Sequence, residues 1–256
     1  MEDLKQSVLE SLDGSANPQI YPYLPYILQD LWELGTDPRL VLTLVSRHVK
    51  RSPLKILDLG CGKGAVSINL AKNLNCSVLG IDGLPEFILE AQMFAEKHKV
   101  ADRCVFEVAD AREKISGLKG FDLVILGAVG QILGTLNQTL NKIATTLNPE
   151  GFVIMDDGWV EDDYSGIYQR CHKKSDFYKM IEEAGFELVD EILFDSDSMN
   201  EANRRIHEPL TKRVIELIQR EPEKRTVFEE YLKSQEYEIS MMSGDVKCTL
   251  CLLKMK

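Results

Sequence analysis

Three acids stand at the ends of three apolar runs, and a glycine-rich turn follows the first of them. Asp58 lies in Lys55-Ile56-Leu57-Asp58-Leu59, two residues before Gly60-Cys61-Gly62-Lys63-Gly64. Glycines at alternate positions permit a tight turn and remove the Cβ atoms that would hold a ligand off the backbone. A helix starting at Ala65 would point its free N–H groups at whatever binds there. Asp58 would repel a pyrophosphate but could accept hydrogen bonds from an ammonium group. Asp82 closes the run Ser77 to Ile81, about twenty residues past the glycines, where an acid that holds a ribose is expected. Its two oxygens can accept from both ribose hydroxyls at once, and Gly83 beside it permits close backbone approach. Asp110 closes a third run, Cys104 to Ala109.

The periodicity supplies the elements that would carry these acids. Ile56 to Leu59 reads as the end of a buried strand, and Val66, Leu70 and Leu74 then recur at helical spacing. A strand to Asp82, a helix over 85–99 and a strand to Asp110 follow. Phe121 to Gly127 reads as a fourth strand and 131–147 as a helix. Asn148-Pro149-Glu150-Gly151 is a turn before a fifth strand, Phe152 to Asp156. Ser175 to Ala184 reads as a helix stopped by Gly185, Phe186 to Phe194 as a sixth strand and Val246 to Lys254 as a seventh. Alternating strands and helices imply a parallel sheet covered on both faces.

The run Leu57-Asp58-Leu59-Gly60-Cys61-Gly62-Lys63-Gly64 closely resembles the first motif of the class I S-adenosylmethionine-dependent methyltransferases. Gly60-x-Gly62-x-x-Ala65 also satisfies the fingerprint of nicotinamide and flavin enzymes, but the acid two residues earlier favours the methyltransferase pattern. The resemblance implies a doubly wound α/β fold with a mostly parallel seven-stranded sheet whose last strand is antiparallel. It implies S-adenosylmethionine as cofactor, held by Asp58, Gly60, Cys61, Gly62, Asp82 and Gly83. Asp110 would meet the adenine amine and the Ala111 N–H a ring nitrogen, the alternative for Asp110 being a helix cap. Leu126 to Gly130 would line the site. In-line displacement on an activated methyl group needs positioning more than side-chain chemistry. No catalytic residue is assigned: Asp156, Asp157, His172 and His48 are the few available bases, and each has an ordinary structural reading.

Composition bounds the partners. The chain has 256 residues, 44% hydrophobic and 28% charged, with a formal net charge of −11. An acidic surface disfavours nucleic acid, so a small-molecule methyl acceptor is expected. No signal peptide or membrane span is visible, which predicts a cytoplasmic protein. Cys248-x-x-Cys251 has no second pair and lies in a strand-like run, so no metal site is expected.

Two additions flank the core expected over 51–194 and 241–256. Residues 1–50 form a helical cap, in which Leu24, Ile27, Leu28, Leu31 and Leu34 make a helix stripe ending at Gly35. Asp37-Pro38 opens a further helix. Tyr21, Tyr23 and Tyr26 are either a wall over the pocket or an anchor of the arm. Residues 195–240 form a helical insertion with two apolar stripes. Within it, 201–236 carries eight Lys/Arg and eight Asp/Glu, so it is a lid or a homodimer element rather than a basic arm.

Overall fold

The computed structural model describes residues 2–166 and 171–256. Its strands are β1 (Leu54–Leu59), β2 (Cys76–Asp82), β3 (Cys104–Val108), β4 (Phe121–Leu126), β5 (Leu147–Val160), β6 (His172–Lys173), β7 (Phe186–Leu193) and β8 (Val246–Met255). They lie in the order β3-β2-β1-β4-β5-β8-β7, with β6 joined to β5 off this path. The first five strands run parallel. β8 is antiparallel to both its neighbours, β5 and β7. The chain crosses from one half of the sheet to the other between β1 and β4, and the carboxyl ends of strands at such a point splay to leave a ligand crevice.

Helices cover both faces. α1 (Glu2–Ser11) and the short α2 (Leu24–Ile27) precede α3 (Pro38–His48). α3 packs on one face with α4 (Ala65–Asn73) and α5 (Pro85–Lys97), burying Leu44, Ile68 and Ala91 against Ile56, Leu123 and Ile154 of the sheet. A single turn, α6 (Ala111–Lys114), follows β3. α7 (Leu136–Ala144) and α8 (Lys174–Glu183) cover the other face through Leu140, Ile143, Phe177 and Ile181. α9 (Ser196–Arg220) and α10 (Arg225–Met242) form the insertion between β7 and β8.

The cap and the insertion meet in a third apolar cluster. Val8, Leu9, Ile20, Leu24 and Ile27 pack with Leu210, Val214, Leu217, Val227 and Phe228, and with Phe87 of α5. The apolar stripes of 195–240 are thus covered within the chain itself. Tyr23 and Tyr26 serve this joint: their hydroxyls donate to Glu221 and Glu216 at 2.7 and 2.6 Å. Tyr23 also meets Phe228 edge to face at 5.0 Å.

Three elements differ from the periodic reading. The stripe from Leu24 to Leu34 is helical only as far as Ile27. The buried Lys63 Nζ takes the Leu28 carbonyl at 2.9 Å, and Trp32 Nε1 donates to the Lys63 carbonyl at 3.0 Å. These long-range bonds hold 28–35 as an irregular strap over the glycine turn. Gly35 is no helix stop, since the helix ends at Ile27; a Cβ at Gly35 would lie 2.6 Å from the Ala128 methyl. The helix expected over 131–147 begins only at Leu136, where Thr135 and Gln138 form a capping box. Gly130 and Gly134 upstream have positive φ. β5 is longer than Phe152 to Asp156: the turn at 148–151 is a bulge inside it, across which the β4 partner passes from Phe121 to Leu123.

Candidate functional site

A cleft of about 990 Å³, counted out into its mouth, opens at the carboxyl ends of β1, β2 and β4. Asp58, Gly60, Cys61, Gly62, Asp82, Gly83, Asp110 and Ala111 all line it. The fold explains their convergence. Parallel pairing sets Leu59 beside Ile81 and Asp82 beside Val108, so the three strand-end acids share one edge.

Each acid is held differently. Asp58 is buried and accepts from Ser67 Oγ of α4 at 2.6 Å. Burial, reinforced by the Asp82 charge, pushes its pKa up to about 6. Asp82 accepts from the Gly62 N–H at 2.8 Å and from the Leu84 N–H at 2.9 Å, one on each oxygen. Burial raises its pKa against the opposing effect of these donors. Each oxygen retains a lone pair for a further donor. Asp110 caps α6 through the Arg112 N–H and is gripped by the Arg112 guanidinium at 2.6 Å. That guanidinium, foremost, holds its carboxyl below the usual range. The capping role expected as the alternative for Asp110 is therefore present.

The glycine turn is shaped by its neighbours. Gly60 has φ +70°, and a Cβ there would lie 2.2 Å from Val129 Cγ1. Gly62 has φ +52° and Leu34 Cδ1 3.0 Å from the place of its Cβ. The turn is sandwiched between the 28–35 strap and the loop after β4, and a side chain at Gly60 would force them apart. Cys61 lines the cleft with its thiol pKa raised by burial.

Sequence reasoning missed several lining residues. Leu4 and Val8 of α1, and Leu12 just past its end, line the cleft, with Leu4 and Val8 against Gly83; their four-residue spacing was the available signal. Trp32, Thr36 and Lys63 line it too. Lys63 is 1% exposed and pairs with Glu90 of α5 at 2.8 Å. Nothing in the sequence distinguishes it from a solvated lysine. Tyr21, Tyr23 and Tyr26 do not line the cleft.

Leu126 is placed elsewhere. It lines a second, smaller cavity with Gly130, Thr139, Met155, Asp156, Asp157 and His172, separated from the cleft by Val129, which borders both. Asp156 accepts from Thr36 Oγ1 at 2.6 Å, and Asp157 from its own Gly158 N–H at 2.7 Å. Burial pushes the pKa of each to about 6. His48 lies away from both cavities, bonded to Asp190 at 2.6 Å. Cys248 and Cys251 fall in different apolar clusters. Among the described residues no group of His, Cys, Asp and Glu has metal-holding geometry, and no helix is long and apolar enough to cross a membrane.

A mostly parallel sheet with an antiparallel strand between β5 and β7, and a cleft over the first glycine turn, is the arrangement of the class I methyltransferase fold. A family model described as a methyltransferase domain matches residues 50–225, well over half of the chain, and the chain belongs to that family of enzymes. Among solved structures, a SAM-dependent methyltransferase from Geobacter sulfurreducens in complex with S-adenosyl-L-homocysteine is similar, with a TM-score of 0.77 and 18% identity. The match covers 92% of this chain and 98% of that one. The [4+2]-cyclase SpnF shares the fold with a TM-score of 0.71 and 16% identity, over 92% of each chain. A curated relative is the probable cobalt-precorrin-6B C(15)-methyltransferase (decarboxylating) of Methanothermobacter thermautotrophicus. It is 31% identical over 74 residues, which span 29% of this chain and only 38% of that protein.

Proposed function

We propose that the chain transfers a methyl group from S-adenosylmethionine to a small-molecule acceptor. The observation that carries this reading is the cleft over the glycine turn, where a backbone free of Cβ atoms meets the preoriented carboxylate of Asp82. The residues present fit such a cofactor. Gly60 and Gly62 line the cleft, Asp82 has acceptor capacity for two ribose hydroxyls, and Asp110 and Ala111 would meet the adenine. Asp58 stands at the end where an amino-acid ammonium would be received. Bound there, the cofactor supplies a methyl group already activated on a sulfonium centre.

The chain's own work is then positioning and exclusion of water. Orientation of donor and acceptor can lower the barrier by roughly 7–11 kcal/mol without a catalytic side chain. α1, resting on Gly83, covers the mouth of the cleft, and the insertion holds the cap in place through the third cluster. We assign the roof to this joint unit of 1–50 and 195–240 rather than to the tyrosines, which serve as its anchor. The net charge of −11 supports a small acceptor over a nucleic acid.

Calorimetry tests the reading directly. S-adenosylhomocysteine is expected to bind and NADH not to bind. Binding of NADH alone would replace methyl transfer with hydride transfer. Hydrogen exchange of α1 is expected to slow with S-adenosylhomocysteine, and unchanged exchange would remove its covering role.

A further inference from the structure

One corner of the cleft is built by a hydroxyl and a carboxylate that are far apart in the chain. Thr36, just past the strap, lines the cleft and donates from Oγ1 to Asp156 Oδ2 at 2.6 Å. The sheet explains how they meet. β5 pairs with β4 only as far as Met155 and with β6 only from Trp159, which leaves a break at 156–158. Asp156, two residues beyond Ile154, projects from the face that α3 and α4 cover. Thr36 leads into α3 on that face and sits over the end of β4, where a Cβ at Gly127 would lie 2.9 Å from its Oγ1. Asp58 stands on the same face, bonded to Ser67 of α4, and β4 runs between the strands of the two carboxylates.

The direction of this bond decides what the corner can hold. A threonine hydroxyl has one proton and two lone pairs, and an ionised carboxylate only accepts. With its proton given to Asp156, Thr36 can offer the cleft only a lone pair. It therefore receives a hydrogen-bond donor. Charge points the same way: among the described residues no lysine or arginine offsets Asp58 or Asp156. Their negative charge favours a cation and repels a carboxylate. On the methyl-transfer reading, Asp82 and Asp110 take the ribose and adenine on the β2 and β3 side of β1. The amino-acid end of the cofactor is left for the β4 side, where Thr36 stands.

We infer that Thr36 accepts a hydrogen bond from the ammonium group at the amino-acid end of the cofactor, and that Asp156 is the positioning residue that turns the hydroxyl's lone pair toward it. This rests on the methyl-transfer reading. An ammonium has three N–H donors, enough for Thr36 and Asp58 together. The pair thus selects a cofactor that carries the ammonium over one that lacks it. A merely structural bond, tying the cap to β5, would make no such distinction.

Calorimetry on the full chain supplies the test, slightly above neutral pH, where the Asp156 carboxyl with its pKa of about 6 is ionised. The probes are S-adenosylhomocysteine and its deaminated analogue, the same molecule with hydrogen in place of the ammonium group. Wild type is expected to bind S-adenosylhomocysteine more tightly than the analogue. Thr36→Val is expected to weaken S-adenosylhomocysteine about ten- to a hundred-fold, the range for a bond to a charged group, and to leave the analogue within about twofold of wild type. Thr36→Ser keeps the hydroxyl and should retain the preference. Asp156→Ala frees the hydroxyl to rotate and should narrow the preference, again without weakening the analogue. Equal weakening of both ligands by Thr36→Val would leave only a structural role and overturn the inference, as would an unchanged affinity for S-adenosylhomocysteine. If Thr36→Val does not fold, Asp156→Ala decides, and an unchanged preference there overturns the inference. Failure of S-adenosylhomocysteine to bind wild type would instead remove the methyl-transfer reading itself.

Discussion

Replacing Asp157 by Asn should stabilise the unliganded protein, and only above mildly acidic pH. Burial first, and the neighbouring Asp156 in addition, push the Asp157 carboxyl up to about 6, whereas an aspartate in the unfolded chain titrates near about 3.9. The native state therefore holds the extra proton across this window. The stability Asp157 contributes in its protonated form is complete below about pH 4 and is lost as pH rises through about 6. A shift of about two pKa units corresponds to roughly 2.7 kcal/mol. Asp157 retains some contact with solvent, which reduces the expected gain to about 1–2 kcal/mol. Asn keeps an oxygen for the Gly158 N–H and never takes the charge, so the bond at 2.7 Å survives. For a chain of this size about 1–2 kcal/mol raises Tm by roughly 2–8 °C. Thermal melts of wild type and Asp157→Asn, one series in mild acid and one in mild alkali, provide the assay. The difference should be close to zero in acid and positive in alkali. An equal difference at both, or an Asp157→Asn protein less stable than wild type in alkali, would refute the reasoning.

Other perturbations have separate readouts. Asp82→Ala removes the acceptor of the Gly62 and Leu84 N–H groups, and calorimetry should show S-adenosylhomocysteine bound about ten- to a hundred-fold more weakly. An unchanged affinity in the folded variant would end the ribose assignment. Gly60→Ala combines a left-handed backbone with a methyl aimed at Val129. It should cost about 2–4 kcal/mol in urea unfolding, and a loss under about 0.5 kcal/mol would mean that the loop after β4 yields freely. Lys63→Met strips the Leu28 carbonyl and Glu90 of their buried cation. Because Glu90 keeps 30% of its side-chain exposure, about 2–3 kcal/mol is expected rather than the full value for a sealed pair. Trp32 fluorescence, which reads the strap through its bond to the Lys63 carbonyl, should change with it.

Local patterns carried most of the core. Strand β1, the glycine turn and α4 follow from the change of period at Gly60 to Ala65, because that change is made by adjacent residues. Asp82 and Asp110 were legible at strand ends for the same reason, and parallel pairing brings them to one edge. The two amphipathic stripes of 195–240 likewise announced a helical pair, observed as α9 and α10. What they pack against was not legible, since a stripe records that a face is buried and says nothing of the partner.

The remaining features depend on residues far apart in the chain. Helical spacing from Leu24 to Leu34 was overridden because Lys63, more than thirty positions on, captures the Leu28 carbonyl. Gly35 resembled a helix stop, yet its lack of a side chain serves Ala128 across the cleft. Asp156 and Asp157 read as ordinary strand-end acids, because the break that exposes them is made by where β4 ends and β6 begins. By itself the sequence determined the core strands other than β6, the glycine turn and the acids at the strand ends, all set by neighbours in the chain. Only the tertiary structure decided that α1 lines the cleft, that the insertion packs on the cap, and that Asp156, Asp157 and His172 border one cavity. Burial and long-range hydrogen bonding set those outcomes, and neither is encoded in local spacing.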